Sequence, residues 1–222
     1  MAQQAIVNMP SADVTPKGAH FLMHETQMKS WGAKQFWSGT NFYAYGAGKA
    51  TEIAITSYNG GSPLSTEFAT GIGVKSAPQI FKKSLPQREV KLTFGTMGIL
   101  NHRGSGFGNF SYAHLSFRVP KLDTRLTGGG WVGTRQLFAK NTGNFLAGVE
   151  QPLGKRFVLL GEWFAGNHDF GYFIPGILFH PRKNHFIVAA YKIPNPGNRS
   201  GVEGIVLEYG LVWGGKSNES GH

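Results

Sequence analysis

The sequence predicts an all-β protein, a closed antiparallel up-and-down transmembrane β-barrel of about twelve strands, within a range of about ten to fourteen. Three observations predict it. Large apolar residues alternate with small or polar ones along most of the chain. The faces opposite the apolar residues are rich in glycine, of which the chain has 32. Charged residues make up only 15% of the chain, against roughly 25% in ordinary soluble domains, while aromatic residues reach 13%.

The stretch 202–213 shows the alternation most clearly. One face of an extended strand there carries Ile205, Leu207, Tyr209, Leu211 and Trp213. The other face carries Gly204, Val206, Glu208 and Gly210. A soluble sheet would set a charged face against its apolar face, whereas a membrane barrel turns the apolar face to lipid and needs little bulk inside. The pattern therefore favours the wall of a barrel.

Eleven further stretches carry a similar signal, and residues typical of turns separate them. The facing of 127–133 stays undecided because glycine dominates it, and 170–179 is apolar on both faces. The turns are shorter after even-numbered strands, except at 78–87, and this pattern predicts that both chain termini lie on the periplasmic side. The predicted strands are 18–29, 35–47, 51–59, 67–77, 88–100, 110–119, 124–138, 144–152, 156–166, 169–179, 185–193 and 202–213.

We expect this barrel to occupy 18–215, between an N-terminal extension at 1–17 and a polar C-terminal tail at 216–222. The start Met1-Ala2-Gln3-Gln4 lacks the charged and apolar regions of a leader and is typical of a chain whose signal peptide has been removed.

The membrane assignment rests on hydropathy and aromatic placement. No run of about 18 apolar residues occurs, which excludes a helical membrane protein. Membrane barrels carry girdles of aromatic residues at the lipid interface, and several aromatic residues lie near predicted strand ends: Trp37, Trp163, Trp213, Tyr43 and Tyr45. We therefore expect a protein of the bacterial outer membrane. The alternative is a soluble ligand-binding β-barrel or sandwich that packs its aromatic residues in an ordinary core.

The formal net charge of +10 raises the question of nucleic acid. No run of five or more Lys and Arg residues occurs, and no nucleic-acid-binding motif is present, so we expect no nucleic-acid partner. The expected partners are membrane lipid and a small solute inside the lumen. We expect no cofactor and no metal, because cysteine is absent and His20 and His24 would lie about 13 Å apart along one strand.

The lumen is the predicted site of function. Charges on the inward face of a barrel either pair and plug it or line a narrow aqueous path and set its selectivity. The sequence leaves both roles open, and we expect a small, restrictive pore. The predicted lumen residues are Glu52, Lys75, Glu89, Lys91, Arg118, Glu150, Glu162, Lys192 and Glu208.

Two His–Ser pairs are candidates for nucleophilic catalysis, because an imidazole beside a hydroxyl can activate it. His114 and Ser116 share one strand face, and His102 and Ser105 lie in a predicted loop. Membrane-embedded phospholipases use a His–Ser pair on a barrel strand, but theirs faces lipid, whereas His114 and Ser116 fall on the polar face. Neither pair has an identifiable amide or acid partner, so the sequence does not establish an enzyme.

The opening of the chain resembles a known family. A proline- and acid-containing segment, 10–18, runs into a first strand with His24 and Glu25, and 39–46 and 51–55 follow. These stretches resemble outer-membrane channel-type barrels of the phenol-degradation MetA-pathway family, over roughly the first 75 residues. The resemblance implies passage of small compounds, hydrophobic ones among them, and names no functional residue. The predicted function is a passive channel or transporter for small solutes, with a barrel-embedded lipid acyl hydrolase as the alternative.

Overall fold

Twelve strands close into one antiparallel barrel in the computed structural model of the chain, which confirms the predicted fold class. The structure describes residues 5–62, 65–104, 106–138, 141–168, 170–198 and 203–215. Each strand pairs with its neighbours in sequence, and β1 closes the barrel against β12. The strands are β1 Ala19–Lys29, β2 Phe36–Gly46, β3 Thr51–Ser62, β4 Ser65–Ser76, β5 Lys91–Asn101, β6 Phe107–Arg118, β7 Arg125–Gly133, β8 Gly143–Leu153, β9 Phe157–Phe164, β10 Tyr172–Arg182, β11 His185–Pro194 and β12 Gly204–Gly214.

In the barrel, the alternating residues face opposite sides: the large apolar side chains point outward and the small or polar ones point inward. Ile72 on β4 is 67% exposed and Phe145 on β8 is 71% exposed, both on the outer surface. Their neighbours on the inner face are small or polar, and inward Glu52 of β3 is 1% exposed. A surface that exposes large apolar side chains and buries carboxylates suits lipid outside and polar contacts inside. Within the described ranges, no helix is long and apolar enough to cross a membrane.

The predicted seventh and fifth strands differ from the observed ones. The prediction of strand at 124–138 is wrong beyond Gly133, because the helical turn α1 (Arg135–Phe138) follows. The Thr134 carbonyl accepts the backbone N–H groups of Leu137 and Phe138, which closes this turn. Strand β5 begins at Lys91 rather than at 88, after the 3₁₀ turn Pro86–Arg88.

The N-terminal segment, which we define as residues 5–17, lies inside the barrel. Ile6, Val7, Met9 and Thr15 are each at most 1% exposed. The segment meets the wall first where β2 ends, since the Gly18 N–H donates to the Gly46 carbonyl. It then runs up the lumen and turns back on itself at residues 5–10, where the Ile6 N–H donates to the Met9 carbonyl. Residues 1–4 and the tail 216–222 lie outside the described residues.

Candidate functional site

The Glu162 carboxylate anchors the tip of the N-terminal segment. Its oxygens accept the backbone N–H groups of Val7 at 2.8 Å, Asn8 at 2.9 Å and Met9 at 2.8 Å. Strand β9 supplies Glu162 on its inner face, and the side chain is 1% exposed. Hydrogen bonds to an ionised acceptor are stronger than neutral ones, so three of them offset much of the cost of burying this group. Glu162 therefore binds the segment through its backbone N–H groups.

An ion-pair network holds the middle of the segment. The Asp13 carboxylate pairs with Lys91 Nζ of β5 at 3.1 Å and with Arg125 Nη1 of β7 at 3.0 Å. The same Arg125 nitrogen lies 3.4 Å from a carboxylate oxygen of Glu150 on β8. Burial raises the pKa of the Asp13 carboxyl, but the charges and hydrogen bonds of Arg125 and Lys91 outweigh it and hold that pKa well below its usual range. Asp13 is therefore ionised wherever the segment is docked at neutral pH.

A third contact fixes the lower part of the segment. The Thr15 N–H and hydroxyl both donate to Glu52, at 2.7 and 2.9 Å. Lys75 of β4 pairs with the same carboxylate at 3.1 Å, and both side chains are almost fully buried. A buried pair of this kind is stable only when its remaining bonds are satisfied, and the segment provides them for Glu52.

The predicted lumen charges fall into two groups. Seven lie on inner strand faces: Glu52, Lys75, Lys91, Glu150, Glu162, Lys192 and Glu208. Arg118 ends β6 at the mouth of the barrel, where it pairs with Glu89 and Asp123. The placement of Glu89 on a strand is wrong: it follows the 3₁₀ turn with a left-handed backbone, φ 43°, which takes it out of the pleat.

A further group of charges surrounds the upper lumen. Glu25 of β1 and Glu208 of β12 lie opposite each other in the strand register where β1 and β12 close the barrel, and both are buried. Gln27 joins Glu25 to Lys192, with contacts of 3.0 and 2.8 Å. The Lys192 ammonium also lies 4.5 Å from the ring centres of Phe36 and Tyr172. This arrangement sets two carboxylates and one cation beside an aromatic wall.

A cavity of about 690 Å³ lies beside the tip of the segment. Its lining includes Val7 and Pro10 of the segment, loop residues such as Phe138, and strand residues that reach down to Glu52 of β3 and Lys75 of β4. Apolar and aromatic side chains dominate this lining: Met23, Phe42, Ala54, Phe110, Phe164 and Ile174. Polar and charged residues also line it, among them Thr40, Thr56, Tyr58, Glu25, Glu52, Glu162, Lys75 and Lys192. The cavity is the size of an ordinary small-molecule pocket, roughly 300–1,000 Å³.

Aromatic side chains from two loops cover part of this cavity. Phe138 of α1 packs against Trp131 of β7, with ring centres 4.4 Å apart. Phe170 of the β9–β10 loop lies 5.3 Å from Phe138, and both line the cavity. His168 of the same loop packs edge-on against Trp131 at 4.7 Å. The loops thus form an aromatic cap at the end of the barrel opposite the point where the segment leaves it.

The predicted His–Ser pairs do not form dyads in the described residues. His114 and Ser116 lie buried on the inner face of β6, and no hydrogen bond joins them. Residues two apart on a strand face are held far enough apart by the strand rise that contact needs favourable rotamers. His102 bonds the Thr70 hydroxyl instead, at 3.0 Å, and Ser105 lies outside the described residues.

Solved structures share this architecture. The outer membrane phospholipase A of Escherichia coli is 11% identical at a TM-score of 0.50, covering 89% of this chain and 92% of that chain. The translocator domain of the autotransporter NalP of Neisseria meningitidis is 14% identical at 0.51, covering 91% and 90%. The Salmonella typhi outer membrane phospholipase dimer is 12% identical at 0.52, covering 88% and 90%. No protein-family model and no curated protein matches the chain.

The chain has the fold of outer-membrane β-barrels. At these identities the likeness shows the fold alone, and the apolar exterior of the twelve-stranded barrel fits a bacterial outer membrane. Within that fold, the candidate site consists of the N-terminal segment, its three anchors and the cavity beside it.

Sequence reasoning missed Asp13, Glu25 and Arg125 as lumen residues. Glu25 shares its strand face with Phe21 and Met23, so the alternation of β1 contained its orientation. Arg125 begins the glycine-rich strand whose facing the sequence left undecided. The sequence signal that the extension is buried was the apolar run Ile6-Val7-Asn8-Met9, because exposed tails contain few apolar residues.

Proposed function

We propose that the barrel passes small apolar solutes across the outer membrane and that the N-terminal segment gates the path. The observation that carries this proposal is the cavity of about 690 Å³, mostly apolar, whose lining includes the segment. The segment fills the lumen beside this cavity, so its movement would widen the path toward the lower end of the barrel. The resemblance to the phenol-degradation MetA-pathway family supports a solute of the same kind.

The chemistry of the lining favours a compact apolar solute with one or two polar groups. Phe42, Phe110 and Phe164 offer ring faces and edges. Tyr58 and Thr40 offer hydroxyls within this apolar surface, which would orient a polar substituent. A strongly charged or large hydrophilic solute would lose more hydration than these hydroxyls replace.

The segment is suited to gating because non-covalent contacts fix it in place. Backbone hydrogen bonds to Glu162, the ion pairs of Asp13 and the contacts of Thr15 are each reversible. When the segment leaves, Glu162, Glu52 and Arg125 lose partners and become hydrated, so the released state is an aqueous path with charges of both signs. The inward charges would then plug the lumen while the segment is docked and line an aqueous path after it is released.

Passage is tested with 1-N-phenylnaphthylamine, an apolar probe whose fluorescence rises when it reaches the inner bilayer of intact Gram-negative cells. Ala54→Trp fills the cavity from β3 and should slow uptake severalfold, on the order of 1 kcal/mol of lost solute binding. Ala113→Trp, on the lipid-facing side of β6, is the matched control and should leave uptake unchanged. Equal uptake by the two folded variants would refute a path through the cavity.

Gating is tested by planar-bilayer conductance. Deletion of residues 2–10 removes the tip of the segment and should convert a nearly closed barrel into one with steady conductance. Glu162→Gln should act in the same direction, because an amide presents N–H groups to the N–H groups of Val7 and Met9. Glu203→Gln is the control, because Glu203 pairs with Lys29 near the rim. A deletion variant as silent as the full chain would contradict the gate.

A further inference from the structure

Polar side chains interrupt the lipid-facing surface of the first three strands. His24 of β1, Asn41 of β2 and Ser57 of β3 are neighbours in the strand register and lie on the outer face. Lipid-facing positions at the middle of a strand favour apolar side chains, and polar groups there are costly unless they serve a function. The group is independent of the lumen and of the gate proposed above.

Hydrogen bonds join His24 and Asn41 to a third outer residue, Thr26 of β1. His24 Nδ1 lies 2.9 Å from Asn41 Oδ1, and His24 Nε2 lies 3.0 Å from the Thr26 hydroxyl. An amide oxygen only accepts, so Nδ1 carries the ring proton and donates it to Asn41. Nε2 is then an acceptor, and the Thr26 hydroxyl donates to it. This protonation pattern is the one in which an imidazole acts as a general base toward a hydroxyl.

We propose that Thr26, His24 and Asn41 form a catalytic site that hydrolyses acyl esters of the surrounding membrane lipid. Thr26 is the nucleophile, His24 is the general base and acid, and Asn41 positions the imidazole and fixes its tautomer. Asn41 is itself held from β3, where its amide nitrogen donates to the Ser57 hydroxyl at 3.2 Å. The residues have the connectivity of a hydroxyl–imidazole–orienting-group triad.

The surroundings of Thr26 leave room for a lipid ester. Gly39 lies opposite Thr26 in the register and carries no side chain on the outer face. A Cβ at Gly39 would lie 3.8 Å from His24 Cε1, so its absence opens space beside the imidazole. On the other side, Leu207 and Tyr209 of β12 pair with Thr26 and His24 and are each more than 40% exposed. Acyl chains would pack on this apolar surface while the ester reaches the hydroxyl.

The reaction balances with water as the only co-reactant. The Thr26 oxygen bonds to the carbonyl carbon of the ester while its proton passes to His24 Nε2. The tetrahedral intermediate breaks its bond to the alcohol, which leaves with that proton as the lysolipid. Water, deprotonated by His24, then attacks the acyl-threonine, and the fatty acid and the free hydroxyl of Thr26 are released.

A second hydroxyl–imidazole pair on the exterior provides an internal comparison. Thr70 of β4 bonds His102 Nε2 at 3.0 Å, and Phe68 stacks on the ring. Among the described residues, His102 has no side-chain amide or carboxylate bonded to its other nitrogen. The Thr70–His102 pair therefore has the hydroxyl and the base without the group that sets the tautomer, and we expect no catalysis from it.

The test uses the full chain, purified in detergent, with fatty-acid release from mixed micelles of detergent and phosphatidylethanolamine. Thr26→Val keeps the shape of the side chain and suits a lipid-facing position, and it should lower the rate roughly a thousandfold. Thr26→Ser should retain activity, and Asn41→Ala should lower it about tenfold or more. Thr70→Val is the matched control and should hydrolyse like the parent chain. Each variant is checked for folding by heat-dependent migration on gels.

A covalent readout completes the test. A long-chain alkylsulfonyl fluoride should sulfonylate Thr26, and peptide mass spectrometry locates the adduct. Hydrolysis that survives Thr26→Val, or a parent chain that neither releases fatty acid nor forms the adduct, would overturn the proposal. Because the readout is lipid cleavage, failure here leaves solute passage and gating unaffected, and failure of those leaves this site unaffected.

Discussion

Gly46 shows how a single residue determines the docking of the whole N-terminal segment. It ends β2 on the inner face of the barrel, directly beside Pro16. A Cβ at this position would lie 2.0 Å from the Pro16 carbonyl oxygen and 2.6 Å from the Thr15 oxygen. Both neighbours are backbone atoms, which a side-chain rotation cannot relieve. Only glycine lets the chain pass here on its way into the lumen.

Gly46→Ala is therefore expected to loosen the segment while the barrel stays intact. We expect a loss of about 1–3 kcal/mol of docking free energy, the usual cost of overpacking, and a corresponding rise in bilayer conductance. Gly128→Ala is the control, because Gly128 lies on the outer face and a Cβ there meets no atom within 4 Å. Conductance that is the same in both variants would show that Pro16 does not set the position of the segment.

Among the elements, the N-terminal segment packs inside the barrel and bonds to its wall, although it is not one of the twelve strands. It has few backbone partners of its own and takes them from the wall, at Glu162 and at Glu52. Its charged contacts join residues far apart in sequence, such as Asp13 and Arg125. An element held by ionised groups responds to pH, and this gives the docked state an acid-sensitive contribution.

The sign of that response follows from Asp13. The pKa of its carboxyl is lowered in the docked state, so docking binds fewer protons than the released segment does. The contribution is complete above a pH of about 4, the ordinary value for Asp, and is lost as the pH falls from there toward the lowered value. Conductance of the full chain should therefore begin to rise as the pH falls below about 4 and should keep rising at lower pH, with only part of this contribution lost at pH 3.

Asp13→Asn isolates this contribution. The variant should conduct more than the parent chain at pH 7, and its conductance should lack the component that appears on acidification. Asp123→Asn is the matched control, since Asp123 pairs with Arg118 in an exposed turn and does not touch the segment. An acid response that persists unchanged in Asp13→Asn would assign the titration to another group.

The whole molecule combines an apolar exterior with a closed hydrogen-bonded wall. Closure of β1 on β12 gives each described strand a neighbour on both sides, so the backbone groups of the wall bond to adjacent strands rather than facing lipid unpaired at a sheet edge. Outward side chains such as Ile53, Leu159 and Ile187 are 42–49% exposed, which in water would be a large apolar surface. The basic residues behind the net charge of +10 lie largely at the turns, for example Lys155 and Arg156.

These properties predict the behaviour of the barrel on gels. Without boiling, the folded barrel should resist dodecyl sulfate and migrate differently from the boiled chain, because unfolding exposes the whole hydrogen-bonded wall at once. The purified protein should also require detergent to stay in solution. A chain that migrates identically before and after boiling and stays dispersed without detergent would contradict the membrane barrel.

The sequence by itself determined the class of fold, an approximate number of strands and the facing of most side chains. The period-2 alternation is a local property, because the residues of one strand alone show which of its two faces is apolar. It failed where local signals conflict: glycine obscured β7, and Thr134 turned the predicted strand end into α1. Glu89 left its predicted strand because of a left-handed backbone that residue types alone do not announce.

Only the tertiary structure decided what the lumen and the outer wall contain. Glu162 and Met9 are 153 residues apart, and no periodicity links an apolar N-terminal run to a strand near the other end of the chain. The same holds for His24 and Asn41, which meet because β1 and β2 pair in one register and not in another. Contacts between strands depend on register and closure, and these are collective properties of the folded barrel.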